Sequence, residues 1–251
     1  MKGVKAFFAN HLGPFISMDC LEFLVNLKRA EERTFLFNGV LLEYFFHSYN
    51  NFRIRERTIE VPIIGYYLQT FKYGEILEIG NVSSHYYTHF RKLFKKPVAV
   101  VDKYEKGFNV TSIDISGYQP GKKFDFVFSI STFEHMEEEE YRNRPPSAPE
   151  TCIALENMHY VVRNLLKPGG TFVLTVPIGQ NPAFERCFSA GDLRKIPCRS
   201  MKTYLFRRIR ELQWRQIPLD GVIIPGQPET SNDSDFKGVN SVLIIEIVAP
   251  E

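Results

Sequence analysis

Acidic side chains close three short apolar runs of the sequence. Glu78 and Gly80 end the run EILEIG, and Asp102 ends VAVVD. Asp114 stands beside Ile115 in SIDIS. In an open α/β sheet, ligands bind outside the carboxyl ends of the strands. Asp102 follows Gly80 by 22 positions, close to the separation of about 20 at which an acid reaches the hydroxyls of a ribose. Asp114 and the backbone at Ile115 can bind the adenine edge, so the spacing predicts a site for an adenosine-containing molecule.

The loop GNVSS follows the first run and contains one glycine. Gly80 lets the backbone approach a ligand closely, and the N–H groups of a following helix, capped by Ser83 or Ser84, would face an anion. A pyrophosphate needs more bare backbone than one glycine provides, whereas a carboxylate needs less. This contrast favours S-adenosylmethionine, whose anionic end is a carboxylate, over a nicotinamide dinucleotide. The alternative is an ordinary turn between a strand and a helix.

The run FDFVFSI is followed by STFEHM, which would lie at the reactive end of such a ligand. Ser129, Ser131, Glu134 and His135 are its polar residues. His135 is the first candidate for a general base because an unperturbed imidazole titrates near neutrality. Glu134 could orient His135 or replace it, and His85 in the first loop is a rival base or a packing residue beside the ligand. The simpler alternative is that His135 caps the helix beginning at MEEEEYR.

The elements that must position these residues are short β-branched strands alternating with helices, which is typical of βαβ units with a parallel sheet. Apolar positions at helical spacing, followed by Pro-Gly-Gly, predict a helix before the last strand of the series. Beyond residue 200 we expect a hairpin and then a final strand at 239–248. The predicted strands of the series lie at 75–79, 97–102, 110–115, 124–130 and 171–176.

An aromatic-rich segment precedes these units. Residues 1–72 are predicted to form a helical cap on the acceptor side, and 73–251 the doubly wound domain. Helical spacing in the cap is indicated by Leu21, Leu24 and Val25 and again by Leu41, Leu42 and Phe45.

Charge and cysteine content narrow the classes of partner. Lys and Arg total 31 against 29 Asp and Glu, so the net charge of +2 lacks the basic excess of a nucleic-acid-binding protein. The four cysteines lack CxxC spacing, which favours neither a zinc site nor a disulfide and fits a reducing, cytoplasmic compartment. No segment offers the roughly 20 uninterrupted apolar residues of a membrane span. No metal is expected, although EEEE at 137–140 offers carboxylates that a divalent cation could use.

The order EILEIG, VVD, DIS, FDFVFSISTFEHM and LLKPGGTFVLTVP resembles the class I S-adenosylmethionine-dependent methyltransferases over residues 72–180. The resemblance implies a Rossmann-like, doubly wound α/β fold with a seven-stranded sheet, S-adenosylmethionine as cofactor and S-adenosylhomocysteine as product. GNVSS departs from the family's glycine series. The cofactor-binding residues that the resemblance implies are Glu78, Gly80, Asn81, Ser83, His85, Asp102, Lys103, Asp114, Ile115, Ser129 and Ser131.

More narrowly, RTIEVP, EIGNVSSHY, VVDKYEKG, SISTFEHM and TVPIGQNP resemble bacterial, archaeal and viral methyltransferases associated with surface-polysaccharide synthesis. The resemblance implies methyl transfer to a hydroxyl of a saccharide, such as a deoxyhexose, in a glycan or a nucleotide sugar. His135 and Glu134 are then the catalytic residues. Arg57 and Glu60 could instead hold the cap to the sheet. The expected acceptor-binding residues are Tyr44, Asn50, Arg57, Glu60 and Asn181.

Other functions remain open at this point. The acceptor could be a small metabolite or a lipid-like molecule in place of a saccharide. The chain could also be a non-catalytic binding module with a degenerate loop. A nicotinamide dehydrogenase would need a pyrophosphate site that the sequence does not display. Neither the acceptor nor the oligomeric state follows from the sequence.

Overall fold

The structure is a computed structural model of the 251-residue chain. It describes residues 33–47, 49, 55–70, 72, 74–107, 109–136, 152–179, 184–185, 188, 192–210, 213–218 and 241–251.

An eight-stranded sheet forms the centre of the molecule, in the order β5-β4-β3-β6-β7-β10-β8-β9. Strands β3 to β7 pair in parallel, whereas β10 lies antiparallel between β7 and β8, and β9 pairs antiparallel with β8. The doubly wound Rossmann-like fold is therefore confirmed, although the sheet has eight strands where seven were expected. The strands are β3 (Ile76–Ile79), β4 (Val98–Asp102), β5 (Val110–Ser112), β6 (Phe124–Ile130), β7 (Leu166–Ile178), β8 (Ser200–Arg210), β9 (Gln213–Ile217) and β10 (Ser241–Val248).

Helices cover both faces of this sheet, as a parallel sheet requires. On one face, Ile63 and Tyr67 of α1 pack with Phe126 and Phe128 of β6. On the other face, Met158 of α4 packs in the cluster that contains the alternate residues of the same strands. The helices are α1 (Arg57–Thr70), α2 (Val82–His85), α3 (Tyr87–Leu93) and α4 (Ile153–Tyr160), with a π-helical turn at Val161–Leu165 and 3₁₀ turns at Ile115–Gly117, Phe133–His135 and Asp192–Lys195.

The predicted strands agree with the structure in position, with two exceptions. Strand β7 begins at Leu166, five residues before the expected 171, so the Pro-Gly-Gly that was expected to turn the chain lies within the strand. The expected strand at 110–115 ends at Ser112, because Asp114 accepts a hydrogen bond from the backbone N–H of Ser116 and caps a 3₁₀ turn. The expected hairpin after residue 200 is formed by β8 and β9, and the expected final strand is β10.

A β-hairpin stands where the sequence pattern predicted a helix around Leu41 and Phe45. Strands β1 (Thr34–Phe37) and β2 (Val40–Glu43) pair antiparallel through a two-residue turn. The turn residues Asn38 and Gly39 both have positive φ, +49° and +78°. Asn-Gly is the pair that favours this tight hairpin turn, so local turn chemistry prevails over the apolar spacing. The residues Leu21, Leu24 and Val25 lie outside the described residues.

The cysteines also differ from expectation. Cys152, directly before α4, is disulfide-bonded, and its partner lies outside the described residues. The expectation that the cysteines form no disulfide is therefore wrong, since sequence spacing does not show which cysteines approach each other in space. Among the described residues, no helix combines the length and apolar character needed to cross a membrane.

Candidate active site

A pocket of about 440 Å³ opens at the carboxyl ends of β3, β4, β5 and β6. Small-molecule sites have volumes of about 300–1,000 Å³. Several of its walls are apolar, with Ile79, Val101, Ile113 and Ile115 among the lining residues. The predicted cofactor residues that line the pocket are Gly80, Asn81, Asp102, Lys103, Asp114, Ile115 and Ser131, and His135 of the predicted catalytic pair lines it as well.

Gly80 follows β3 at the floor of the pocket with φ of +86°. A Cβ atom at this position would lie 2.2 Å from Oγ1 of Thr132, which belongs to the turn after β6. Glycine is therefore required for two reasons: its backbone conformation disfavours L side chains, and the neighbouring turn occupies the space. From the sequence, Gly80 was expected only to let the backbone approach a ligand. The positive φ and the contact with Thr132 are additional reasons for a glycine at this position.

Glu78 is fully buried below the loop and occupies the start of α2. Its carboxyl group accepts hydrogen bonds from the backbone N–H of Ser83 at 2.7 Å and from the Ser83 hydroxyl. Burial raises the pKa of Glu78 to about 8, although the hydrogen bonds from Ser83 oppose the shift. The N–H of Ser83 was expected to face a ligand, but Glu78 already binds it. Asn81 is the cap residue of α2 in place of Ser83 or Ser84, and its side chain makes no capping hydrogen bond to the helix.

Asp102 at the end of β4 joins two loops of the pocket. Its Oδ2 accepts from the backbone N–H of Asn81 at 3.0 Å, and its Oδ1 accepts from those of Tyr104 and Glu105 at 2.8 and 2.7 Å. The Asn81 side chain donates to Glu105 Oε2 at 2.7 Å. Asp102 therefore fixes the loop after β3 against the loop after β4, in addition to facing the pocket.

Lys103 follows β4, Asp114 follows the neighbouring strand β5, and their side chains form an ion pair. Lys103 Nζ is 3.5 Å from Asp114 Oδ2 and 5.3 Å from the ring centre of Tyr104. Burial tends to raise the pKa of Asp114, but hydrogen bonds from Ser116 and the charge of Lys103 outweigh it and lower the pKa. The carboxylate of Asp114 is thereby kept ionised beside Ile115, which is buried in the core.

The turn after β6 is held by the helix α1. Ser131 has φ of +42°, which is unusual for a residue with a side chain. Its N–H donates to the Thr175 carbonyl at 2.9 Å, and its hydroxyl donates to Glu60 Oε1 at 2.7 Å. The other oxygen of Glu60 accepts from Arg57. Glu60 is completely buried, so Arg57, Glu60 and Ser131 form one polar chain between α1 and the pocket.

Glu134 and His135 follow on the same turn in different environments. Glu134 is buried, whereas the His135 side chain is 61% exposed at the pocket rim. Their closest atoms, Glu134 Oε1 and His135 Nε2, are 3.7 Å apart. Burial raises the pKa of Glu134 well above its usual range, and the charge of Glu60 adds to the effect. Burial and Glu60 likewise raise the pKa of Glu56.

Other predicted residues do not line the pocket. His85 lies 3.3 Å from Glu105 and stacks on Tyr49, with ring centres 4.4 Å apart. Ser129 is buried and donates to the Ile79 carbonyl at 2.8 Å, which ties β6 to β3. Glu78 and Ser83 lie below the loop, as described above.

The predicted acceptor-binding residues do not form one group. Tyr44 is buried, and its hydroxyl accepts from the backbone N–H of Trp214 at 2.9 Å. It therefore belongs to the aromatic core of α1 and the hairpin. Arg57 and Glu60 bind each other and face the turn after β6. Asn50 and Asn181 lie outside the described residues.

Sequence reasoning missed several lining residues. Thr132 and Tyr104 each stand one or two positions after a predicted strand end, so the rule that selected Asp102 could have found them. Asn157 of α4 donates to Met136 Sδ at 3.3 Å, and nothing in its sequence context indicates that α4 reaches the pocket. The lining residues not predicted are Ile79, Val82, Val101, Tyr104, Glu105, Ile113, Thr132, Met136, Ile153 and Asn157.

Within the described part of the chain, no group of three or more His, Cys, Asp or Glu residues could hold a metal ion. The acidic run at 137–140 lies outside that part.

The sequence matches no protein-family model and no curated protein. Similar solved structures include the N-methyltransferase NodS from Bradyrhizobium japonicum WM9 in complex with S-adenosyl-L-homocysteine, at 13% identity and a TM-score of 0.45 over 78% of this chain and 88% of that chain. The 1,6-didemethyltoxoflavin-N1-methyltransferase of Burkholderia thailandensis is 16% identical, with a TM-score of 0.42 over 75% and 76% of the two chains. The 16S rRNA methylase RmtB is 12% identical, with a TM-score of 0.39 over 77% and 64%. Similarity at this level assigns neither an activity nor an acceptor.

Proposed function

We propose that the protein is an S-adenosylmethionine-dependent methyltransferase. The charge of the pocket is the observation that carries the proposal. Its described lining contains the carboxyl groups of Asp102, Glu105 and Asp114 against the single ammonium of Lys103. S-adenosylmethionine has a sulfonium and an ammonium group against a single carboxylate and is therefore a net cation, whereas a nicotinamide dinucleotide carries an anionic pyrophosphate. A pocket with excess carboxylate favours the cation.

The order of the strands suits an elongated nucleoside cofactor. Because β5, β4, β3 and β6 are consecutive in the sheet, their ends form a row. Asp114 and Ile115 would hold the adenine, and Asp102 would hold the ribose. Gly80 and the turn at Ser131 would then face the methionine part, and His135 would lie where the acceptor enters.

The bonding of the first loop weighs against a dinucleotide. A pyrophosphate binds to free backbone N–H groups at the start of a helix. Here, the N–H of Asn81 binds Asp102, and that of Ser83 binds Glu78. At these two positions the loop therefore lacks the donors that a pyrophosphate requires.

When bound, S-adenosylmethionine supplies an electrophilic methyl group on its sulfonium. The residues of the chain orient the two reactants and exclude water, an effect worth up to about 7–11 kcal/mol in well-oriented reactions. His135 accepts the proton of the acceptor hydroxyl as general base, which is typically worth about 10²–10⁴ in rate. Glu134, close to His135 Nε2, orients the imidazole.

The acceptor in this proposal is a hydroxyl of a saccharide, such as a deoxyhexose, in a glycan or a nucleotide sugar. A hydroxyl acceptor needs a base, and His135 is exposed at the rim where it can meet one. The resemblance of RTIEVP and STFEHM to the polysaccharide-associated methyltransferases supports the same acceptor. A small metabolite is the second candidate.

A thermal-shift titration with S-adenosylhomocysteine tests the cofactor, with NAD as the comparison ligand. Ligand at 100 times its dissociation constant should stabilise the protein by about 2.7 kcal/mol. Saturable stabilisation by S-adenosylhomocysteine alone supports the proposal. Stabilisation by NAD alone would indicate a dehydrogenase, and no shift with either would indicate a non-catalytic module.

Methyl transfer from labelled S-adenosylmethionine to a panel of saccharides and small metabolites then tests the acceptor. His135→Ala should lower the transfer rate about 10²–10⁴-fold while S-adenosylhomocysteine still binds. His159→Ala is the matched control, since His159 lies on α4 but does not line the pocket. An unchanged rate in His135→Ala would remove His135 from the mechanism.

A further inference from the structure

We infer that Glu60 of α1 is a positioning residue that acts through Ser131. By binding the hydrogen of the Ser131 hydroxyl, Glu60 turns the Ser131 oxygen into an acceptor for the ammonium group of the cofactor. The inference rests on the proposed function and specifies how one end of the cofactor is recognised.

The location of Ser131 follows from the sheet. Strand β6 adjoins β3 on the side opposite to β4. With the ribose at Asp102, the amino-acid end of the cofactor extends towards the ends of β3 and β6. Gly80 directly follows β3 and Ser131 directly follows β6, and both line the pocket.

The hydrogen bonds of Ser131 determine what it can offer. A serine hydroxyl has one hydrogen to donate and two lone pairs to accept with. That hydrogen is donated to Glu60 Oε1 at 2.7 Å. The oxygen can therefore only accept from the pocket. An ammonium group has three donors and no acceptor, which makes it the complementary partner.

The geometry of this acceptor is fixed before a ligand binds. Ser131 is 7% exposed and Glu60 is 0% exposed. Arg57 holds the second oxygen of Glu60, and the Thr175 carbonyl holds the N–H of Ser131. A residue with φ of +42° keeps that conformation only where its surroundings impose it. The structure supplies those surroundings from α1.

Backbone donors near this end of the pocket are already bound. The N–H of Asn81 donates to Asp102, and that of Ser83 donates to Glu78. This end of the pocket therefore offers hydrogen-bond acceptors to a ligand. Ser131 is the acceptor whose hydroxyl orientation is set by Glu60.

Calorimetric titration of the full chain with two ligands tests the inference. S-adenosylhomocysteine has the amino-acid end, and 5′-methylthioadenosine has the same nucleoside and thioether without it. Ser131→Ala removes the hydroxyl without altering α1, and it should weaken S-adenosylhomocysteine about tenfold while 5′-methylthioadenosine stays within about twofold. Glu60→Gln keeps the side-chain volume, loses the charge, and should give a smaller loss for the same ligand.

The double variant measures whether the two residues act together. If Glu60 works through Ser131, adding Glu60→Gln to Ser131→Ala weakens S-adenosylhomocysteine no further. Tyr67→Phe on the same helix is the matched control. It removes a buried hydrogen bond to Glu246, and both ligands should bind to it as they bind to the unmodified chain.

The outcomes separate this inference from the proposed function. Equal weakening of both ligands by Ser131→Ala would show a merely structural role and overturn the inference, as would additive losses or unchanged affinity for S-adenosylhomocysteine. If the unmodified chain binds both ligands, these results overturn the role of Glu60 and Ser131 and leave the proposed function standing. If the unmodified chain binds neither ligand, the proposed function is overturned as well.

Discussion

Two loops meet over the pocket, and they are stabilised in different ways. The loop after β3 is bound by acids of the strands that deliver it: Glu78 of β3 and Asp102 of β4 accept its N–H groups. The turn after β6 is bound by a residue of a helix that precedes the sheet in the chain, Glu60 of α1. The first loop depends on its neighbours in the sheet, and the second depends on the attachment of α1.

The difference explains how a loop with one glycine can keep its shape. Carboxylates that accept several backbone N–H groups replace the conformational role of further glycines. The cost is that those N–H groups no longer bind a ligand anion. The loop after β3 therefore has mainly a structural role, and the turn after β6 contributes more of the ligand recognition.

Gly80→Ala should have the largest effect, because Gly80 is where the two loops touch. The new Cβ would lie 2.2 Å from Thr132 Oγ1, at a φ of +86°. We expect a loss of about 3 kcal/mol in the free energy of unfolding, and no detectable S-adenosylhomocysteine binding. Chemical denaturation and calorimetry measure the two quantities.

Gly121→Ala is the control for the backbone conformation alone. Gly121 has φ of +69°, and, apart from Gly121 and its two chain neighbours, no described residue has a heavy atom within 4 Å of the position of its Cβ. Its cost should be about 1–2 kcal/mol, with binding unchanged. If Gly80→Ala costs no more than Gly121→Ala, the two loops do not constrain each other.

Asp102→Ala should weaken S-adenosylhomocysteine about 100-fold. It removes the acceptor of three backbone N–H groups and the proposed ribose ligand, each charged hydrogen bond being worth about 1.5–3 kcal/mol. Asp125→Ala is the matched control, since Asp125 accepts from the backbone N–H of Glu75 and from Lys167 and does not line the pocket. Equal loss of affinity in both variants would mean that Asp102 supports the fold and not the site.

Each region carries a buried glutamate with a raised pKa, Glu78 at the loop after β3 and Glu134 on the turn after β6. The folded state raises the pKa of Glu78 from 4.5 to about 8. Between these values the folded state binds a proton that the unfolded state has released. The contribution is therefore complete below about pH 4.5 and is lost as the pH rises towards 8, at up to about 1.4 kcal/mol per pH unit.

Chemical denaturation across this range measures that slope. Glu78→Gln, which cannot ionise, should show a shallower decline than the unmodified chain, and the remaining decline belongs to Glu134 and Glu56, whose pKa values burial also raises. Ser131→Ala should keep the full slope, because it leaves all three glutamates in place. A decline of equal slope in Glu78→Gln would assign it to another group.

Asn81→Ala should have the smallest effect. The side chain of Asn81 donates to the exposed Glu105, and exposed polar pairs contribute about 1 kcal/mol or less. Affinity for S-adenosylhomocysteine should fall about twofold by calorimetry. A tenfold loss would show that the Asn81 side chain touches the cofactor itself, and the first loop would then be more than a scaffold.

The sequence predicts β3, β4 and β6 well because these strands are short, apolar and bounded by turn residues. The placement of Asp102, Asp114 and His135 at the pocket follows from one rule, that the residues after parallel strands share an edge. The rule selects positions from the sequence alone and does not predict the hydrogen bonds that those side chains make.

What the sequence does not predict depends on partners distant in the chain. Ser131 and Glu60 are 71 positions apart, and nothing local pairs them. The sequence also does not show that Glu78 binds the backbone N–H of Ser83 at the start of α2. Serines such as Ser83 and Ser84 are typical helix caps, so the sequence predicts a cap at this place. The hairpin at Asn38 and Gly39 was predictable from its turn, but the apolar spacing after it was interpreted as helical.

The position of β10 affects how the protein folds. Residues 241–248 pair with β7 on one side and β8 on the other, so a segment late in the chain lies inside the sheet. Until it docks, β7 and the β8–β9 hairpin each present an open strand edge, and such edges associate with other chains. Pairing of this kind is long-range and slow. Refolding of the parallel half should therefore precede the joining of the hairpin, and the interval between them is when the chain is most prone to aggregate.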